Sequence, residues 1–474
     1  MTHTVEKIGG TSMSRVHELR DTLFIGGREG DDLYGRIFVV SAFGGITNLL
    51  LEHKKSGDAG VYAQFSNADN DRGWHEALDR VTQKMIEAHE TVLDHPADVE
   101  RATDWVRGRI EDARNALTDL QRLCNYGHFR LAEHLLQVRE LLSGLGESHS
   151  AFVTTMLLQR AGVNARLVDL SGWRDEGDIC LEDRITKAMA RVDPATEMPI
   201  VTGYAQCAEG LMREFDRGYS EVTFSKLAAL TGAKEAIIHK EFHLSSADPN
   251  LVGEGAVRKL GRTNYDVADQ LSNMGMEAIH PKAAKTLRQA EVPLRVTNAF
   301  EPEDPGTLID DQPADEPSVE IVTGLDVIAL EVFEQDMVGV KGYDAAILDV
   351  LKRHDVRIVS KLSNANTITH YVDSSLKKMK RVEKDIADLY PSAEIRSRTL
   401  AMASVIGRDL STLRVLQRGL CAIADSGHEC IGATQGPRNV DVQFVMERDV
   451  LKPCIKALHD AFFEPETAEL KSAA

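Results

Sequence analysis

Two short apolar runs near the start, HTVEKIGG and RIFVVSAFGG, each break off into paired glycines, and the second leads into a helical pattern from Thr47. A short buried strand that stops at glycine and hands over to a helix is the repeating unit of a parallel sheet. ARLVDLSG and MPIVTGYAQC repeat the strand signal, and YSEVTFSKLAALTGA reads as a helix leaving another glycine-bearing turn. The polar stretch 54–73 reads as an excursion. Residues 74–142 show helical spacing of apolar side chains with many i, i+4 charge pairs, so two or three helices cover them. This alternation predicts an α/β domain over residues 1–309, with helices on both faces of a largely parallel sheet. Ligands of such folds sit at the carboxyl ends of the strands, where the glycine loops gather.

At 474 residues the chain exceeds what one core spans, and its grammar changes after an acidic, proline-bearing linker at 310–320. Residues 321–397 read β-α-β-β-α-β, and residues 398–465 repeat most of that order. The spacing of about 73 residues is the size of a ferredoxin-like α+β module. The tail 466–474 is expected to fray.

Composition excludes several classes of function. Seventy-four acidic against 55 basic side chains give a net charge of -19, which repels a phosphate backbone and argues against nucleic acid as a partner. No run of about 18 apolar residues and no basic apolar leader occurs, so no membrane partner and a cytoplasmic location are expected. The six cysteines are scattered with no C-x-x-C pair. That spacing disfavours a zinc site and a disulfide framework, and no protein-borne metal is expected.

The first glycine loop, KIGGTS, sets Lys7 ahead of Gly9, Gly10 and Ser12. Bare backbone amides, a mobile ammonium and hydroxyls at a strand end suit a phosphate. The spacing is not that of a P-loop, and a lone GGTS is commonly only a tight turn. Three further stretches carry the same ingredients: SAFGGITN (41–48), GLGESHS (144–150) and FDRGYSEVT (215–223). Each reads as a loop that begins or precedes a helix, where the helix dipole favours anions. With Lys7 and Arg217 among them, phosphoryl transfer to an acidic acceptor is the chemistry the set suggests.

These motifs, with Gly146-Glu147, VTGY, DRGYSE and the paired C-terminal modules, resemble the aspartate kinases of the amino-acid-kinase superfamily over nearly the whole chain. The first loop of that family reads K-F-G-G-T-S, while ADPNLV and GMEAIHP stand where it has D-P-R and G-A-K-x-x-H-P. The resemblance implies transfer of a phosphoryl group from ATP to the side-chain carboxylate of L-aspartate, giving 4-phospho-L-aspartate. It implies Lys7 and Glu221 as catalytic residues and Lys7, Gly9, Gly10, Ser12, Lys240 and Asp248 on the nucleotide side, with Mg²⁺ entering bound to ATP. Ser41, Thr47, Glu147, Tyr204, Arg217 and Ser220 would surround L-aspartate. The C-terminal modules would be ACT domains, with Val338, Ser363, Asn364 and Asn366 meeting an amino-acid effector such as lysine or threonine. A homodimer or dimer of dimers is implied.

The chain departs from the family pattern at several points. Tyr219 and Glu221 replace a glycine and an aspartate in R-G-G-S-D-Y-T, His239-Lys240 stands for T-D, Asn250 for arginine, and Glu277 for lysine. Lys240 and Glu277 are either a swapped ion pair near the nucleotide or two separate losses. This pattern in an acidic protein is similar to the aspartokinases encoded with ectoine biosynthesis. IGRDLSTL lacks the usual proline-glycine helix start, which points to weakened or altered regulation. The contrasting reading is a catalytically degenerate amino-acid-sensing or assembly subunit. Kinases of glutamate, acetylglutamate or carbamate would not be expected to carry two such modules.

Overall fold

The computed structural model describes residues 3–54, 56–67, 72–175, 179–215, 218–276, 278–313 and 316–463. Its contacts divide the chain into two compact units, 1–244 with 279–311 and 245–278 with 312–474.

In the first unit the strands β1 (Thr4–Ile8), β2 (Arg36–Val40), β3 (Ala165–Val168), β4 (Met198–Thr202), β5 (Glu235–Lys240), β7 (Leu294–Asn298) and β8 (Thr307–Asp310) lie in the order β3-β4-β2-β1-β5-β7-β8. All neighbours are parallel except β7 and β8, which are antiparallel. RIFVV and MPIVT are buried at every position. A strand enclosed on both faces has no room for polar alternation, which is why these runs read as continuous apolar stretches. The helices Arg72–Glu90, Pro96–Cys124 and Leu135–Arg160 fill the region expected to hold two or three. The last is buried almost without break from Leu142 to Leu158, so it is a core helix and not an amphipathic surface one.

The second unit is built on a six-stranded sheet, β10-β11-β9-β12-β14-β13, with β9 (Ser318–Phe333), β10 (Arg357–Ser363), β11 (Thr367–Asp373), β12 (Glu394–Arg408), β13 (Gly432–Gln435) and β14 (Asp441–Met446). Two ferredoxin-like modules share it. The long strands β9 and β12 pair antiparallel from Glu394↔Phe333 to Arg408↔Ser318. The second half of β9 pairs with β11, and the second half of β12 pairs with β14. The first half of β9 therefore supplies the fourth strand of the second module, although it precedes the first module in the chain. This is why residues 398–465 repeat only most of the β-α-β-β-α-β order.

Along the second half of β9 the side chains alternate between the two faces of the sheet. Ile328, Leu330 and Val332 pack with the helices Tyr343–Arg353 and Leu376–Leu389 through Ile347, Val350, Met379 and Val382. Val327 and Ala329 face the other way, toward Val267 and Leu271 of the helix Tyr265–Asn273. Ala247 and Val252 join the core of the second module. Residues 245–278, including the short strand β6 (Arg262–Asn264), thus pack with the second unit, although they fall inside the 1–309 span read as the first domain. The 466–474 tail lies outside the described residues.

Candidate active site

The pleat of β1 decides what stands above and below the sheet. Lys7 is in register with Ile238 of β5, and Glu6 with Ile237. With a side-chain period of two, Lys7 and Lys240 share one face, while Glu6 and His239 share the other. On the Glu6 face, Arg36 donates to both Glu6 oxygens at 2.8 and 3.0 Å, His239 Nε2 lies 2.8 Å from Glu6 Oε2, and Thr297 Oγ1 lies 2.8 Å from His239 Nδ1. Burial alone would raise the pKa of Glu6, but Arg36 and His239 outweigh it and hold this carboxyl well below its usual range. One polar chain thus ties four adjacent strands together in the order β2-β1-β5-β7. His239 belongs to this buried network, on the face opposite Lys7 and Lys240.

On the opposite face, Lys7 Nζ lies 3.1 Å from Glu221 Oε1, with both side chains largely enclosed. Glu221 stands in the first turn of the helix Tyr219–Thr231, and its other oxygen accepts from the His280 amide at 2.5 Å. Burial pushes its pKa up, but the charges of Lys7 and then Lys240 reverse that and leave it lowered. Glu221 is therefore a carboxylate held between two ammonium groups.

Its neighbour Ser220 leads to the second carboxyl. Ser220 Oγ donates to Glu147 Oε1 at 2.6 Å, and Glu147 Oε2 is buried without a hydrogen-bond partner. Burial dominates, and although Ser220, Lys7 and the nearby Tyr204 and Ala42 amides favour the ionised form, the pKa of Glu147 is pushed up to about 8. GLGESHS is not the anion-ready loop expected from its composition but the interior of the helix Leu135–Arg160, so its amides are spent within the helix. Its glycines serve packing: a Cβ on Gly144 would lie 3.0 Å from the Tyr204 ring, and one on Gly146 would lie 2.9 Å from the Ala42 Cβ. Tyr204 packs edge-on against Tyr219 and donates to Glu140 at 2.6 Å. Glu140 also accepts from the Met212 amide.

The remaining loops converge at the ends of β1 and β2. Gly9 precedes the short helix Gly10–Met13, and a Cβ there would meet nothing within 4 Å, leaving open space over its backbone. Gly10 and Gly44 are tight, because a Cβ would meet the Ala42 carbonyl at 2.9 Å and Ser14 Oγ at 2.5 Å. Ser14 Oγ accepts from the Gly44 amide and so joins the two loops. Gly45, at φ +85°, starts the helix Ile46–Leu50 that carries Thr47. Ser41 sits at the end of β2, its amide on the Ile8 carbonyl and its own carbonyl accepting from Ser150. Ser12 donates to Glu241 at 2.7 Å.

The fold thus brings Lys7, Glu221, Ser220, Glu147 and Tyr204 into one connected set, with Lys240 acting on Glu221. Asp248 belongs to the second unit, where it caps the short helix Pro249–Val252 by accepting from the Asn250 amide. Arg217 and Glu277 lie outside the described residues, and with them the Lys240–Glu277 pairing. In the second unit, Asn364 closes the turn between β10 and β11 by accepting from the Asn366 and Thr367 amides. Ser363 ends β10, the Asn366 carbonyl accepts from Glu334, and Val338 is 62% exposed ahead of the helix Tyr343–Arg353. Glu140, Gly203, Ser14, Glu241 and the His280 amide were not picked out from sequence. His280 and Gly203 lay in the motifs GMEAIHP and VTGY, and Glu140, Ser14 and Glu241 act through contacts that no local pattern encodes. Among the described residues, no helix is long and apolar enough to cross a membrane.

Residues 3–298 match the amino acid kinase family, and the chain belongs to it. It is 52% identical over 466 residues to the aspartate kinase Ask_Ect of Stutzerimonas stutzeri, a match that covers 98% of each chain. Its fold matches that of Escherichia coli aspartokinase III, both in complex with lysine and aspartate (TM-score 0.71) and with aspartate and ADP (TM-score 0.70). Each of these matches is at 18% identity and covers 98% of this chain and all of the other.

Proposed function

We propose that this protein is an aspartate kinase, transferring the γ-phosphoryl group of ATP to the side-chain carboxylate of L-aspartate to give 4-phospho-L-aspartate and ADP. The observation that carries the reading is the polar set on one face of the first sheet. Lys7, at the end of the central strand, is braced by Glu221, and Glu221 is linked through the adjacent Ser220 to the buried carboxyl of Glu147. The whole-chain identity to an aspartate kinase supports aspartate as the acceptor.

The chemistry asks little of a protein base. The acceptor carboxylate is ionised at neutral pH and attacks the γ-phosphorus directly; one O–P bond forms, the bond to the β-phosphate oxygen breaks, and ADP leaves with that electron pair. The protein must align the two and offset the charge of the moving phosphoryl group. Lys7 is the ammonium for that task, held on station by Glu221, while the open backbone at Gly9 and the Gly10 turn receive phosphate. Glu147 takes the α-ammonium of the substrate once it has given up its proton, Arg217 takes the α-carboxylate, and Ser41, Thr47 and Ser220 supply hydroxyls. Tyr204, fixed by Glu140, walls the pocket. Lys240 and Ser12 are assigned to the nucleotide side, and Mg²⁺ carried in with ATP would supply further positive charge.

The second unit is read as a pair of ACT modules binding an amino-acid effector, lysine or threonine, around Val338, Ser363, Asn364 and Asn366, in a homodimer or dimer of dimers. The identity to Ask_Ect, the altered loops and the acidic composition support a role in supplying ectoine synthesis, in the cytoplasm where ATP and reduced thiols coexist. The test is ADP release with ATP and Mg²⁺ on L-aspartate, L-glutamate and N-acetyl-L-glutamate. Turnover with L-aspartate alone supports the assignment, and preference for either other acid overturns it.

A further inference from the structure

The helix Leu135–Arg160 sets Glu140, Gly144 and Glu147 on one face at i, i+4 and i+7. Glu147 is the buried carboxyl of the site, Gly144 leaves room for the Tyr204 ring, and Glu140 accepts from the Tyr204 hydroxyl at 2.6 Å. The second oxygen of Glu140 accepts from the Met212 amide at 2.8 Å. Gly210, at φ +75°, lets the intervening loop come this close, since a Cβ there would lie 3.1 Å from that same oxygen. Burial, and then the charge of Glu140, push the pKa of the phenol up, so it keeps the proton it donates. At its other end Tyr204 reaches the substrate side: its backbone amide lies beside the Glu147 carboxyl, and a Cβ on the preceding Gly203 would lie 2.8 Å from Glu147 Oε2.

Packing alone does not enclose the ring. A cavity of about 560 Å³ borders it, with Glu140, Gly144, Trp173, Gln206 and Cys207 among its other walls, while Lys7, Glu147 and Ser220 take no part in them. In a close-packed interior a ring stays in place without its hydroxyl bond. Beside a void of this size it has somewhere to go.

We infer that Glu140 is a positioning residue that sets acceptor specificity: its bond to the Tyr204 hydroxyl holds the ring as a partition between the acceptor site and this cavity. With the ring held, the acceptor site ends at Gly203 and Tyr204. With it released the two spaces join, aspartate loses a wall, and an acid one methylene longer gains room. A methylene in a closed pocket is worth about 10–200-fold in discrimination. The consequence for specificity rests on the kinase reading; the hold on the ring does not.

The test compares the full chain with Glu140→Met, Glu140→Gln and Tyr204→Phe. In NMR of protein carrying ¹³C-ring-labelled tyrosine, the Tyr204 signal is the one lost in Tyr204→Phe. It should report one ring environment in wild type and a shifted, exchange-averaged one in Glu140→Met. In steady-state kinetics, Glu140→Met and Tyr204→Phe should each raise the KM for L-aspartate about tenfold and cut the kcat/KM preference for L-aspartate over L-glutamate by about tenfold or more. Their double variant should be no worse than the worse single one, because both remove the same bond. Glu140→Gln can accept from Met212 and donate to the phenol oxygen, so it should recover most of the wild-type behaviour. Tyr204→Phe keeps the ring and loses only the hydroxyl, which keeps the test decisive if Glu140→Met does not fold. An unmoved ring signal in folded Glu140→Met overturns the hold on Tyr204. An unchanged preference in folded Tyr204→Phe, or single effects that multiply in the double variant, overturns the role in specificity. Wild type that turns over neither acid defeats the kinase reading instead, and the ring signal still decides whether Glu140 holds Tyr204.

Discussion

Glu147→Gln separates the cost of the site from its use. In the ligand-free protein the Glu147 pKa is pushed up to about 8, against 4.5 for the unburied group. Between those values the folded state keeps a proton that the unfolded chain has released. The contribution of this group to stability is therefore complete below the unfolded value and is lost as pH rises through 8. The loss is at most about 1.4 kcal/mol per pH unit, or of order 5 kcal/mol across the window. Glutamine fills the same volume, can still accept from Ser220 and has no such proton to lose. In urea unfolding the variant should match wild type near pH 5 and exceed it by several kcal/mol near pH 8. The same change removes the carboxylate proposed to meet the substrate ammonium, so kcat/KM for L-aspartate should fall at least about 100-fold. In wild type the ionised fraction of Glu147 grows about tenfold per pH unit below 8, and the KM for aspartate should fall in step between pH 6 and 8. Urea profiles that stay parallel from pH 5 to 8, with a KM flat over the same range, would refute the reasoning.

Lys7→Met should lower kcat at least about 100-fold and also destabilise the fold by about 1–3 kcal/mol, since it strips a largely buried carboxylate of its nearest cation. Adding Glu221→Gln should restore much of that stability in denaturant melts and none of the turnover; recovery of activity in the double variant would remove Lys7 from the chemistry. Gly203→Ala would set a Cβ 2.8 Å from Glu147 Oε2 and 2.9 Å from the Ser220 Cβ, so steady-state kinetics should show a large rise in the KM for aspartate. An unchanged KM there would mean that Glu147 and Ser220 do not line the substrate. Sedimentation should give a dimer or tetramer, and a concentration-independent monomer would contradict the proposed assembly.

Strand ends were legible because a buried strand and a glycine turn each leave a local signature: β1, β2, β3, β4 and the helix at Tyr219 fall where the apolar runs and glycines put them. GLGESHS was misread because glycines needed for close helix packing look, in one dimension, like glycines needed for a loop. The assignment of 245–278 to the second unit was invisible for a different reason: those residues lie between β5 and β7 of the first sheet, and only their contacts reveal which core they fill. The shared β9 strand hid itself in the same way, since its halves pair with partners about 35 to 90 residues downstream. Of the site, Lys7, Glu147, Ser220 and Glu221 carried a motif. Glu140 did not, because its role exists only once Tyr204 is in place, and Gly203 stood inside VTGY with nothing local to show its packing against Glu147 and Ser220.

The central claim is that this chain makes an acyl phosphate of aspartate, and trapping that product tests it most directly. Folded protein with ATP, Mg²⁺, L-aspartate and hydroxylamine should yield aspartyl hydroxamate in step with ADP, and Lys7→Met should yield neither above background. ADP without hydroxamate would mean that the acceptor is not the aspartate carboxylate. Silence from a folded protein with every acid tried would favour an amino-acid-sensing subunit in place of an enzyme.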